Sequence, residues 1–161
     1  MRAEGEARVK TTRAALGATL ACAALLAAPC PARAALGDNV ASVASDQARA
    51  QGTLQTRELP DYSLHEIRGA TGTVIREFSS QDGSVFAVAW EGPFLPDVRQ
   101  LLGKSWDAYV NAARTKRRGH GPLVVQLPDL VVESAGHPRG FHGRAFLPRL
   151  VPPTVSLEAI R

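Results

Sequence analysis

Between Tyr62 and Trp90 three strand-like segments follow one another, Tyr62–Arg68, Thr73–Ser79 and Ser84–Trp90. Only Gly69-Ala70-Thr71-Gly72 and Ser80-Gln81-Asp82-Gly83 separate them. A parallel crossover needs a dozen residues or more, so connections this short force neighbouring strands to run antiparallel. Each connection ends in glycine, the residue that adopts the left-handed conformation closing a three-residue hairpin loop. The segment is therefore expected to fold as a β-meander.

Loops over residues 70–72 and 81–83 set a register. Leu64 then lies opposite Phe78, Glu66 opposite Arg76, and His65 opposite Glu77; in the second hairpin Phe78 lies opposite Phe86, Val74 opposite Trp90 and Arg76 opposite Val88. This arrangement gathers Tyr62, Leu64, Phe78, Phe86 and Trp90 on one aromatic face. Ser63, His65, Ile67, Thr73, Ile75, Glu77, Ala87 and Ala89 fall on a lighter one. A two-residue Asp82-Gly83 loop would place Phe78 opposite Ala87 and split the aromatics. Because a slip of one residue turns every side chain over, the three-residue loops are preferred.

Beyond Pro96 the hydrophobic period changes from two to 3.6. Val98, Leu101, Leu102, Trp106, Tyr109, Val110 and Ala113 form one helical stripe, with Pro96 or Asp97 at its start. Gly103 interrupts it and is the expected point of a bend. The basic run Lys116-Arg117-Arg118 before Gly119 suits the helix end. This helix is expected to lie across the aromatic face. Leu123–Leu127 and Leu130–Ser134 read as strand-like runs split by Pro128-Asp129, either a tight hairpin or one bent edge strand, with a last strand near Arg144–Leu147 and a final helical turn capped by Ser156. Residues 35–60 are expected to form a loosely structured arm with a weak helical pattern at Val40, Val43, Ala44, Gln47 and Ala48, capped by Asp38 or Ser45 and ended by Gly52. The expected fold class is α+β: an antiparallel meander sheet of about five strands with one main helix packed on one face.

Charge is where composition matters. The chain of 161 residues has a formal charge of +4, but residues 1–34 hold five basic groups against two acids. The remainder carries 14 basic and 13 acidic groups, too balanced for a face that binds phosphate backbones. No nucleic acid is expected as a partner. Residues 1–34 read as a secretory signal peptide: a basic segment ends at Arg13, Ala14–Ala28 is apolar, and Ala32-Arg33-Ala34 fits the small-x-small cleavage rule. The apolar run is shorter than the roughly 20 residues of a membrane span. A single exported domain over 35–161, periplasmic or secreted and without stable membrane insertion, is the expectation. Cys22 and Cys30 both lie in the leader, so the exported domain would have no thiol and no disulfide.

All four histidines, His65, His120, His137 and His142, follow the leader. His65 opposite Glu77 has the elements of a general acid–base pair, since a carboxylate orients an imidazole and favours its charged form; a cross-strand surface contact explains the pair equally well. His137 and His142 are five apart in a glycine-rich stretch, which matches no strong zinc template. Gly136-His137-Pro138-Arg139-Gly140 has the composition of an anion-binding nest. The candidate binding residues are thus His65, Glu77, His137, Arg139 and His142. No metal site, catalytic residue or cofactor is assigned. Nucleophile elbow, phosphate loop and dinucleotide fingerprint are all missing from the sequence.

Several segments carry a resemblance to a known family: Tyr62-Ser63-Leu64-His65-Glu66, Gly72-Thr73-Val74-Ile75-Arg76-Glu77-Phe78, Val85 through Pro93, Pro96-Asp97-Val98-Arg99-Gln100-Leu101-Leu102-Gly103, Pro128-Asp129-Leu130-Val131-Val132 and Ser134-Ala135-Gly136-His137. In this order they resemble the exported Gram-negative bacterial proteins grouped as domain of unknown function 2844. Ala135 and Pro138 depart from the glycine and methionine of that pattern. The resemblance implies export and a single domain, and brings no activity, cofactor or site residue. The functional expectation is a non-catalytic periplasmic binding or interaction module, with another envelope protein as a possible partner. The alternative is a small periplasmic enzyme or metal-binding protein in which the His137–His142 loop folds over the His65 face.

Overall fold

The computed structural model describes residues 36–116 and 121–161. The leader with both cysteines, and Arg117 to His120, lie outside the described residues. Seven strands form one antiparallel sheet: β1 (Thr53–Glu58), β2 (Ser63–Arg68), β3 (Val74–Ser79), β4 (Val85–Gly92), β5 (Leu123–Leu127), β6 (Leu130–His137) and β7 (Gly140–Phe146). Their order is β1-β2-β3-β4-β7-β6-β5, so a four-stranded and a three-stranded meander meet along the β4–β7 ladder. Helices α1 (Val43–Ala50), α2 (Val98–Leu102) and α3 (Trp106–Thr115) complete the fold. The class is α+β, but the sheet has seven strands rather than about five.

β1 falls in the stretch expected as a loose arm, and β7 starts at Gly140, four residues before the last strand expected near Arg144–Leu147. β1 is an edge strand of largely exposed residues, of which only Leu54 packs against the core. In β7, Gly140 and Gly143 sit where Cβ atoms would collide. At Gly143 a Cβ would lie 2.3 Å from the Trp90 ring and 2.6 Å from the Glu133 carbonyl oxygen, so the bare backbone lets the indole lie flat across the sheet.

The first hairpin has the expected register, with Leu64 opposite Phe78, His65 opposite Glu77 and Glu66 opposite Arg76. Gly72 and Gly83 both have φ of 85°, as the three-residue loops require. The second hairpin begins in the expected register, with Ser79 opposite Val85, and then shifts by one. A β-bulge sets both Phe86 and Ala87 against Phe78, and beyond it Ile75 faces Trp90 and Glu77 faces Val88. Phe86 stays beside Phe78 and Tyr62, with ring centroids 6.3 Å from each. Trp90, beyond the bulge, turns to the opposite face. The expectation that Trp90 shares a face with Phe78 and Phe86 suits a sheet with one wet face. Here every residue from Val85 to Trp90 is buried, because both faces are covered.

The helices therefore cover the face opposite the one expected. Leu101 and Leu102 of α2, Trp106 and Tyr109 of α3, and Val43 of α1 pack with Ile67, Ile75, Val88, Trp90, Val125 and Val132. The helical stripe is cut at Gly103, whose φ of 48° and ψ of −118° end α2; a 3₁₀ turn over Gly103–Ser105 leads into α3. Asp97 caps α2 by accepting from the Gln100 N–H at 3.1 Å. The aromatic face is covered instead by residues 147–161, whose Val155 and Ile160 pack on Phe78, Phe86 and Phe146. Two arginines on that face hold the segment down. Arg144 Nη1 donates to the Leu157 carbonyl at 2.7 Å while its Nε bonds Glu133 at 2.8 Å. Arg76 bonds Glu66 at 3.1 Å and the Arg161 carbonyl at 3.3 Å. Ser156 caps the closing 3₁₀ turn, as its sequence suggests.

The stretch expected as a loose arm carries α1 and β1. Its helix begins after a 3₁₀ turn capped by Asn39, rather than by Asp38 or Ser45, and ends at Gln51 in the left-handed conformation just before Gly52. Among the described residues no helix is long and apolar enough to cross a membrane.

Candidate functional site

The face bearing His65 and Glu77 is roofed by helices, and both side chains are buried, 6% and 1% exposed. Although the two residues are directly opposite one another, their side chains bond elsewhere. His65 Nδ1 lies 3.1 Å from the Thr56 hydroxyl on β1, and Nε2 lies 3.0 Å from the Ser79 hydroxyl on β3. Burial holds the imidazole below the usual histidine range, with Glu58 pulling weakly the other way. A neutral ring with both nitrogens bonded to hydroxyls ties three strands together.

Glu77 turns instead to Asp46 on α1, which is 3% exposed. Gln100 on α2 donates its side-chain amide to Asp46 Oδ1. Neither Glu77 oxygen, nor Asp46 Oδ2, has a donor from any other described group. Two carboxyls in hydrogen-bonding reach of one another cannot both be ionised in so dry a place. Burial, and then the Asp46 carboxyl, push Glu77 up to about 9. Burial also raises Asp46, against the hydrogen bonds from Glu77 and Gln100 and the pull of Arg49. Glu77 therefore keeps its proton at neutral pH and donates it to Asp46, leaving one negative charge on the pair.

Beside Asp46 opens a pocket of about 420 Å³ between α1, the β2–β3 turn and the chain from Phe94 to Leu101. Its apolar wall is made by Ala50, Ala70, Ile75, Phe94, Leu95 and Leu101, while Asp46, Asp97, Gln100 and Thr73 are among its polar residues and Arg49 stands at the α1 side. Phe94 and Leu95 are 59% and 50% exposed. They are held there by the Thr73 hydroxyl, which donates to the Phe94 carbonyl at 2.9 Å.

The remaining candidates lie elsewhere. β6 and β7 run up to a tight turn at Pro138-Arg139, where Arg139 takes φ of 71°, so the glycine-rich stretch is a hairpin and not a loop free to fold over the sheet. His142 lies opposite Glu91 and Ala135, on the aromatic face. His137 bonds its own turn through Nδ1 to the Pro138 carbonyl, 3.1 Å away, and its ring lies over Gly140. His65 is on the other face and three strands from β7, about 14 Å at the usual strand spacing of about 4.8 Å. The structure thus does not bring His65 and Glu77 together with His137, Arg139 and His142. Among the described residues no group of three or more potential ligands is placed to hold a metal.

His142 does line a larger cleft of about 600 Å³ beside Pro122, Val124, Glu133, Arg144 and Ile160. Two of its charged groups are engaged within the chain: Arg144 clamps the C-terminal segment and Glu133 clamps Arg144. The carboxyl pocket differs in that its buried charge has no ion-pair partner among the described residues within salt-bridge range.

Asp46 and Gln100 were not visible as site residues in the sequence. The helical pattern read at Val43, Ala44, Gln47 and Ala48 is rotated from the true buried side, which carries Val43 and Asp46. A carboxylate one turn beyond the buried valine was the available signal.

One family model matches residues 32–160, that of a Protein of unknown function (DUF2844). No curated protein and no solved structure matches the chain.

Proposed function

We propose that this chain, which belongs to the DUF2844 family, is an exported, non-catalytic binding module whose ligand sits in the pocket lined by Asp46. The pocket beside a buried, unneutralised carboxyl pair carries the reading. Side chains hold charge in a dry site at a cost of several kcal/mol unless a partner offsets it, so such a group marks a place built for something else to meet it. The His65–Glu77 pair, the best acid–base candidate in the sequence, supports binding over catalysis: His65 spends both ring nitrogens on Thr56 and Ser79. Export rests on the basic, apolar and small-x-small organisation of residues 1–34. The family match starting at residue 32 agrees with it, since it leaves out nearly all of that leader.

Native mass spectrometry of the untagged protein from the periplasmic fraction tests the reading. A small-molecule adduct is expected on the wild type and absent from Ala70→Trp, which places an indole in the pocket from an exposed position. An adduct that survives in Ala70→Trp would move the ligand out of this pocket. Recovery of the protein only in the cytoplasm would refute export.

A further inference from the structure

We infer that the pocket selects an organic ammonium ion with an apolar body, its charged head against Asp46 and its body along Ile75, Leu101, Phe94 and Leu95. This rests on the pocket being the ligand site. The ligand class follows from charge, acceptor capacity and shape.

An ionised carboxylate offers about four lone-pair sites. Gln100 fills one on Asp46 and the shared proton of Glu77 a second, which leaves Asp46 a net acceptor at the inner wall of the pocket. Cationic N–H donors suit that wall: a charge-assisted hydrogen bond to a carboxylate is about twice as strong as a neutral one. The same wall repels anions, and Asp97 adds a second negative charge at the pocket. Arg49, the one cation in the lining, is exposed on α1 and acts on Asp46 only through its field. A bound ammonium would replace that distant attraction with a direct one.

The walls argue against a bare metal ion. Calcium takes six to eight oxygen ligands and magnesium an octahedron, whereas Asp46 and Asp97 are the two carboxylates in this lining and no group of three or more potential ligands gathers among the described residues. A volume of about 420 Å³ falls within the range of small-molecule sites and is too small for a folded partner. The exposed Phe94 and Leu95 extend the apolar wall outward and give a ligand body surface to cover. Because Thr73 fixes the Phe94 backbone, that wall is present before the ligand arrives.

A matched probe series separates ligand class from pocket. 2-Phenylethylammonium, 2-phenylethanol and phenylacetate share an aromatic body and differ in the charge of the head. Titrated into the purified protein at pH 7 by calorimetry, the ammonium should bind at least tenfold more tightly than the alcohol, and phenylacetate should be the weakest. Arg49→Gln, which removes the competing cation from the lining, should tighten the ammonium about twofold to threefold relative to the alcohol. Asp46→Asn should erase the preference for the ammonium, but the probe series on the wild type needs no variant to fold. Alcohol or anion binding as well as the ammonium, with all binding lost in Ala70→Trp, would overturn the ligand class while the pocket reading stands. No binding of any probe at millimolar concentration would overturn both.

Discussion

Glu77→Gln is the most informative single change. In the folded chain Glu77 is pushed up to about 9 from an ordinary 4.5, by burial first and by Asp46 second. A carboxyl whose folded value is raised holds a proton that the unfolded chain has already lost. Its contribution to stability is complete below about 4.5 and disappears as pH rises through 9. Between those limits one extra proton is bound on folding, so stability falls by about 1.4 kcal/mol per pH unit. From pH 7.0 to 8.5 the wild type should lose about 2 kcal/mol on this account. The window also lies above the range of His65, which burial holds below its ordinary 6.5; its contribution rises with pH and has nearly levelled off by pH 7. Glutamine keeps a donor for Asp46 without a titratable proton, so the variant should show little slope. Urea denaturation followed by tryptophan fluorescence reports both, since Trp90 is buried in the helix-side core. Parallel slopes for wild type and Glu77→Gln would mean that the pair is hydrated or neutralised, and the account of a shared proton would be wrong.

Three further outcomes follow from the packing. Arg144→Met keeps the aliphatic stem but removes the bonds to Glu133 and the Leu157 carbonyl; it should cost about 3 kcal/mol and speed amide exchange in residues 155–161, and unchanged exchange there would show that the clamp is dispensable. Gly143→Ala drives a methyl group into Trp90 and the Glu133 carbonyl, so a loss of about 3 kcal/mol with altered tryptophan emission is expected, and wild-type stability would contradict the close approach. An NMR titration should place the His65 midpoint below 6.5; a midpoint at or above 6.5 would show the ring to be solvated or paired with a carboxylate.

Local signals made much of the fold legible. Loop lengths and closing glycines determine the β2–β3 register, the 3.6-residue period identifies the helical stripe, and Pro128-Asp129 marks the β5–β6 turn, because in each case the cause lies within a few residues of its effect. What could not be read depends on distant contacts. β1 is a polar segment that becomes a strand only because β2 offers it an edge. The bulge at Phe86 is tolerated because residues 147–161 cover one face while helices cover the other, so the usual penalty for turning Trp90 over does not apply. Glu77 was legible as a candidate, opposite His65 as expected, but its true partner stands 31 positions earlier on a different element. No spacing rule connects Asp46, Glu77 and Gln100; only the closing of α1 and α2 over the sheet does.

The strand order also has a kinetic consequence. Each meander closes through short turns, at little entropic cost, and its hairpins need only local encounters. The β4–β7 ladder that joins them spans α2, α3, β5 and β6 in sequence. Closing that long loop comes with few rewards until the ladder is in register, which makes it the expected bottleneck of folding. Until it forms, Phe86 and Phe146 have no common core, and the inner edges of β4 and β7 stand open to pairing with another chain. A protein delivered unfolded across a membrane would pass through this interval each time it is made.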